Sequence, residues 1–381
     1  MHRVRRTRSR RLVVAVPLAL SLGASAGAAL AHPGHEHSKK GREGVVTLRT
    51  TDDAGTCAAT PRARTTATGA ACPTFRLHFA APAGKARGLV VVFHGHGHNG
   101  EQYTDQIADI AGDMGVVAVA METAELAPSA PNYRGPFDSV DEEARDAAAA
   151  IGWARAKFGT QKTYLFGVSM GGSGLAYFLD AATRSAAGDK DAAWVQSFRP
   201  LPLAGLIDVE GISNLSETWA EATGFDKVSA AEIEAETGGT PSTATAAYRS
   251  RSLALLPTAA WQNSGLPVVA VVHDVDDGLV PYNQTLEVRA AVAAAKLPLQ
   301  TYDVVFKAAC NEGNQTTGSA TITKQIPGFP TDTTESELCL AGHANENDPS
   351  TPVMKAAVQA LATVVSGNVS NNAVVVNPTH P

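Results

Sequence analysis

One pentapeptide in the chain has the residue types and spacing of a built nucleophile: Gly167-Val168-Ser169-Met170-Gly171. It follows an apolar β-type run, Lys162 to Gly167, and precedes a stretch from Gly171 to Leu179 that reads as helix. A serine hydroxyl is a weak nucleophile unless a base takes its proton during attack and the developing charge is stabilised. A sharp strand-to-helix turn supplies part of this. It lifts the hydroxyl out of the sheet at its carboxyl edge, and the amino end of the next helix offers N–H groups and partial positive charge to an oxyanion. The flanking glycines are a steric need, because side chains there would collide with the neighbouring strand and helix. The chemistry implied is acyl transfer to water through an acyl-serine. An ordinary glycine-rich turn is the plainer alternative, and the strand-to-helix setting argues against it.

A base and an orienting acid must then be brought to that turn by the rest of the fold. Val45 to Arg49 and Thr74 to Phe79 read as strands. Gly88 to Phe93, Gly115 to Met121 and Lys162 to Gly167 are continuous apolar runs, the pattern of strands buried on both faces. Leu203 to Val209, Leu266 to His273 and Leu299 to Phe306 read as three more, the last closing the sheet. Between them lie helical stretches at Gln102 to Met114 and Ser139 to Phe158. The second has Asp141, Glu142 and Glu143 in its first turn and Arg155 and Lys157 in its last, which suits the helix dipole. Thr351 to Val365 is a closing helix. Strand and helix in alternation predict an α/β fold, a mostly parallel sheet with helices on both faces. The expected organisation is one domain over 45–370, with a polar insertion at about 215–256 and a C-terminal tail over 371–381.

With this order of elements, the stretch from about Thr74 to Val365 resembles the α/β-hydrolase family, whose triad runs nucleophile, acid, histidine along the chain. The resemblance implies which residues complete the site. Val271-Val272-His273-Asp274-Val275-Asp276-Asp277-Gly278-Leu279-Val280-Pro281 follows a buried strand and looks like the family's acid-bearing segment, which puts Asp277 at the acid position. Asp274 stands where the family has glycine, so three carboxylates crowd the loop and Asp276 is a competitor. His343, in Ala341-Gly342-His343 after the last strand, takes the place of the general base. His380 lies in the tail and His273 at a strand end. An oxyanion hole would combine the N–H of Met170, next after the nucleophile, with that of His96 in His94-Gly95-His96-Gly97-His98-Asn99-Gly100. The three alternating histidines also invite a metal reading, but no Cys or carboxylate spacing completes a set. No metal and no organic cofactor is called for.

Several conspicuous residues read as structural. Trp153, Trp194, Trp219 and Trp261 suit packing, with Trp219 in the insertion as the one that could line a pocket. Glu122 ends a strand at the site's edge and reads as a satisfied carboxylate. The insertion has no long apolar face, unlike the greasy lid of a lipase. The reading is therefore a carboxylesterase acting on small or polymer-borne esters, loosely similar to secreted polyhydroxybutyrate depolymerases and feruloyl esterases. A prolyl-oligopeptidase-like peptidase is the alternative, suggested by Ala247-Tyr248-Arg249-Ser250-Arg251-Ser252 but without the expected extra domain. A non-catalytic binding protein on the same scaffold fits least, because every triad position is filled.

Composition bounds the setting. Arg3, Arg5, Arg6, Arg8, Arg10 and Arg11 head an apolar run, Leu12 to Leu22, and Ala29-Leu30-Ala31 offers a cleavage pattern. Residues 1–31 thus read as an export leader, by the general or the twin-arginine route, and the protein as secreted. His32 to about Gly44, with its His-rich start, reads as a disordered linker. Without the leader's six arginines, 25 basic residues face 37 acidic ones, a formal net charge of −12. That excess disfavours nucleic acid or an anionic membrane as partner, and no segment after the leader is apolar enough to span a bilayer. Four cysteines in an exported chain imply two disulfides among three possible pairings. Loop closure favours Cys57 with Cys72 and Cys310 with Cys339, the longer loop adding about 3–4 kcal/mol.

Overall fold

The β-branched and aliphatic runs form the strands of one central sheet. In chain order these are β1 (Arg42–Arg49), β2 (Thr74–Ala81), β3 (Leu89–Phe93), β4 (Val117–Glu122), β5 (Thr163–Val168), β6 (Leu203–Val209), β7 (Val269–Asp274) and β8 (Leu299–Val304). Two short strands, β9 (Thr321–Ile322) and β10 (Leu338–Cys339), pair with each other as a separate ribbon, and β11 (Ala373–Val376) ends the series. The computed structural model describes residues 41–49, 74–122, 140–190, 192, 194–195, 202–225, 227–275, 277, 279–305, 321–322, 338–339, 343, 348–369 and 373–376. All of these belong to a single compact unit, 39–381.

Among the described residues the sheet has nine strands in the order β1-β2-β4-β3-β5-β6-β7-β8-β11. β2 runs antiparallel to both its neighbours, and from β4 to β11 every pairing is parallel. Period-two alternation along β3 feeds two cores. Leu89, Val91 and Phe93 pack on one side with α2 (Val140–Phe158) and α3 (Gly171–Ala186), while Val90 and Val92 pack on the other with α1 (Thr104–Met114) and α9 (Pro352–Ser366), which follows α8 (Tyr282–Ala294) in the chain. Helices therefore cover both faces, as the fully apolar strands require.

The strand order places a crevice. From β3 the chain passes outward to β4, then returns to β5 on the other side of β3. The loops after β3 and β5 leave the carboxyl edge in opposite directions, and open α/β sheets bind ligands at such a reversal. Between β6 and β7 lies the insertion: α4 (Leu215–Phe225), α5 (Lys227–Thr237), α6 (Thr245–Ser250), a 3-10 turn at Leu253–Leu255 and α7 (Thr258–Asn263). Trp219 ties two helices of the insertion together. Its indole donates to Glu234 Oε1 at 2.9 Å, tying α4 to α5. Arg251 pairs with buried Glu236 at 2.8 Å and lies over the Tyr177 ring, which fastens the insertion to α3.

Trp194 and Trp261 are fully buried, and Trp153 packs among Phe79 and Phe158. Two boundaries differ from expectation. β1 begins at Arg42, inside the stretch assigned to the linker, because pairing with β2 extends its ladder to Ala81. The strand at Leu299 does not close the sheet either. Ala373-Val374-Val375-Val376, assigned to the tail, adds β11 in parallel along β8. The leader, Cys57, Cys72, Cys310, Asp276 and His380 lie outside the described residues, and Cys339 is described only through its backbone.

Candidate active site

Ser169 sits at the turn between β5 and α3 with φ 53°, in the left-handed region that a residue with a Cβ rarely adopts. Such a conformation costs about 1–3 kcal/mol and persists only where its surroundings fix it. They do so here through three backbone hydrogen bonds. The Ser169 N–H donates to the Val209 carbonyl at 3.0 Å, and the Ser169 carbonyl accepts from the N–H groups of Gly172 and Ile212 at 2.9 and 2.8 Å. The end of β6 thus clamps the end of β5. The glycines behave as expected from crowding. A Cβ at Gly171 would stand 2.3 Å from the Phe93 carbonyl oxygen, and one at Gly167 would stand 2.7 Å from Leu175 and from the Gly171 carbonyl.

Two groups from distant parts of the chain meet this serine. His343 Nε2 lies 3.1 Å from Ser169 Oγ, and His343 Nδ1 lies 2.7 Å from Asp277 Oδ2. A carboxylate only accepts, so the proton of the neutral imidazole belongs on Nδ1, leaving the Nε2 lone pair toward the hydroxyl. Asp277 is fixed in turn. Its Oδ1 accepts from the N–H groups of Leu279 and Val280 at 2.7 and 3.1 Å. Burial pushes its carboxyl up, but the charge and hydrogen bond of His343 and the bond from His273 outweigh that and hold it well below the usual carboxylate range.

Behind Asp277, His273 is locked in one tautomer. Its Nε2 is 2.8 Å from the Val280 carbonyl, which can only accept, and its Nδ1 is 2.7 Å from Thr285 Oγ1. Nε2 therefore carries the proton and also faces Asp277 Oδ2 at 3.4 Å. Glu210, His273 and Asp277 bring possible ligand atoms within 4.8 Å of one another. Both His273 nitrogens are committed to these hydrogen bonds, so His273 is wired as support for Asp277.

The loop after β3 lies beside the serine turn, because Phe93 pairs with Gly167 across the two strands. It begins with buried His94, whose N–H donates to Glu143 Oε1 at 2.8 Å and whose Nδ1 is 3.0 Å from the Gly95 carbonyl. Burial lowers the His94 pKa to about 4, so the ring is neutral near pH 7. His98 N–H closes a turn onto the Gly95 carbonyl at 3.1 Å, with Gly97 at φ 73°. The His96 ring is partly exposed and lies 3.5 Å from Glu232 of the insertion. Met170 is buried at the N-cap of α3, directly after Ser169. Glu122 is satisfied by Arg76 and His78 at 2.9 and 2.8 Å.

Sequence reasoning missed two carboxylates here. Glu143 reads as one of three first-turn acids of α2, yet it is fully buried and holds the loop that starts at His94. Glu210 follows β6 at φ 47°, fully buried, with Oε2 3.4 Å from His343 Nδ1. An acid directly after a buried strand, in Val209-Glu210-Gly211, is the signal that was available.

Comparison with known proteins bears on the fold. The family model for serine aminopeptidases of the S33 group matches residues 84–189, from β3 through the serine turn and α3. No curated protein matches the chain in sequence. Among solved structures, the chain superposes on a mutant of the esterase rPPE with a TM-score of 0.51 at 16% identity, covering 88% of this chain and 86% of that one. Carboxyl esterase 2 of the mycorrhizal fungus Tuber melanosporum gives 0.51 at 13% identity, covering 88% and 90%. A bacterial brefeldin A esterase gives 0.50 at 16% identity, covering 72% and 71%. The chain has the α/β-hydrolase fold. Along the chain Ser169 follows β5, Asp277 follows β7, and His343 comes after β8 and the small ribbon of β9 and β10.

Proposed function

We propose that this protein is a serine hydrolase that cleaves carboxylic esters through an acyl-enzyme, with Ser169 as nucleophile, His343 as general base and Asp277 as the orienting acid. The hydrogen-bonded chain from Ser169 Oγ through His343 to Asp277, at the strand-order reversal of the sheet, carries this reading. As Oγ attacks the ester carbonyl carbon, its proton passes to His343 Nε2, and Asp277 stabilises the imidazolium. The carbonyl oxygen becomes an oxyanion, met by the N–H groups of Met170 and His96. Collapse breaks the bond to the alcohol, which leaves with the proton from Nε2. Water then attacks the acyl-serine with the same proton relay, releasing the acid and restoring Ser169.

The substrate is a small or polymer-borne ester, and the leader pattern of residues 1–31 with the four cysteines supports export and two disulfides. A second reading, cleavage of amides as an aminopeptidase, is favoured by the S33 family match over residues 84–189. A panel of p-nitrophenyl esters of rising acyl length, run beside aminoacyl p-nitroanilides, a Pro-X peptide and a polyester film, separates the readings. Turnover of short esters well above the anilides and the peptide is expected. The reverse order would reassign the chain to the peptidases.

A further inference from the structure

The buried carboxylate of Glu210 reaches the site from a different element than Asp277. It comes from the end of β6, whereas Asp277 comes from the loop after β7. Its backbone is held in the left-handed region at φ 47°, and its own N–H donates to the Val272 carbonyl at 2.9 Å. That conformation turns the side chain along the ends of the two strands. There Oε1 accepts the Asp274 N–H at 2.9 Å, and Oε2 lies 3.4 Å from His343 Nδ1. A carboxylate with no exposed surface loses its hydration and persists as a charge only beside compensating donors or cations. Among the groups Glu210 meets are the backbone N–H of Asp274 and the Nδ1 edge of the His343 ring, which already carries a proton toward Asp277.

We infer that Glu210 is a second acid for His343: a positioning residue that shares the Nδ1–H with Asp277 and holds the ring when the Asp277 bond is weakened. The inference rests on the serine-hydrolase reading above. Asp277 is the nearer acceptor, at 2.7 Å against 3.4 Å, and bears most of the bond in the resting site. When the serine proton reaches Nε2, the imidazolium forms between two carboxylates rather than beside one. The division of labour gives each Glu210 oxygen its own task. Oε1 fixes β7 through Asp274, and Oε2 faces the base.

That division shapes the test, because Glu210→Gln can keep an Oε1 acceptor for Asp274 while it replaces the anionic acceptor facing His343 with a neutral N–H donor. Hydrolysis of a short p-nitrophenyl ester would be followed in the full chain and in Glu210→Gln, Asp277→Ala and the double variant. Glu210→Gln alone is expected to lower kcat several-fold with KM unchanged. In the Asp277→Ala background the same change should cost at least tenfold more than in the wild type, because Glu210 is then the acid that remains on Nδ1 among the described residues. Equal factors in the two backgrounds, or an Asp277→Ala enzyme no better than His343→Ala, would overturn the inference and leave Glu210 as a backbone tie. If Asp277→Ala does not fold, the low-field proton resonance of His343 Nδ1–H, identified by its loss in His343→Ala, decides. It should move in Glu210→Gln, and an unmoved resonance counts against the second acid. A fluorophosphonate that fails to label the wild type would sink the serine-hydrolase reading itself, whereas normal labelling with additive variants sinks only this inference.

Discussion

At the scale of single residues, the site is a chain of acceptors and donors in which each group fixes the next. Asp277 takes two backbone N–H groups on one oxygen and His343 on the other, and His273 seals it from behind. Asp277→Asn should therefore lower kcat by about 10³–10⁴ with little change in KM, since an amide can donate to Nδ1 and favour the wrong tautomer. Steady-state kinetics on one ester would check this. Asp276→Asn should cost far less, and the opposite ranking would move the acid's role. Ser169, Asp277 and His343 were legible in the sequence because a fold-specific chain order points to them. Glu210 and Glu143 were not, because each acts through burial created by neighbours far away in sequence. Glu210 needs β7 alongside it, and Glu143 needs the loop after β3, 49 positions earlier.

Among the elements, the decisive feature is how closely β3, β5 and α3 approach at the serine turn. The gap between Gly171 and the Phe93 carbonyl leaves no room for a methyl group. Gly171→Ala should push α3 off β3, lower stability by about 1–3 kcal/mol or more, and misaim the Met170 N–H. Activity should fall further than the loss of folded protein explains, which thermal melts and kcat measured together would reveal. The buried parallel strands were legible because they are continuous apolar runs bounded by polar turns. β11 was not, since four residues at a chain end read as easily as tail, and only the open side of β8 makes them a strand. The helices of the insertion are legible as polar helices. Their anchorage is not, because it depends on Arg251 reaching Tyr177 of another element.

For the whole molecule, two buried carboxylates near the site act on stability in opposite directions. Asp277, held below the ordinary range, stabilises the fold above the unfolded carboxylate pKa, and that contribution fades as pH falls through its folded value. Asp208, at the end of β6, has its pKa raised to about 6 by burial, against the hydrogen bond from Ser213. Between the unfolded value near 4 and about pH 6, the folded state holds the extra proton, so Asp208 lowers stability as pH rises through that window. Asp208→Asn should raise Tm at pH 7–8 and leave it nearly unchanged at pH 4, as melts across pH would show; an equal shift at both would assign the effect to packing. The central claim concerns which atom becomes acylated. The most direct measurement is the intact mass of the protein after reaction with a fluorophosphonate, followed by peptide mapping. One adduct per chain, on the peptide containing Ser169 and absent in Ser169→Ala, is the predicted result; an adduct on another residue, or one that persists in Ser169→Ala, would contradict it.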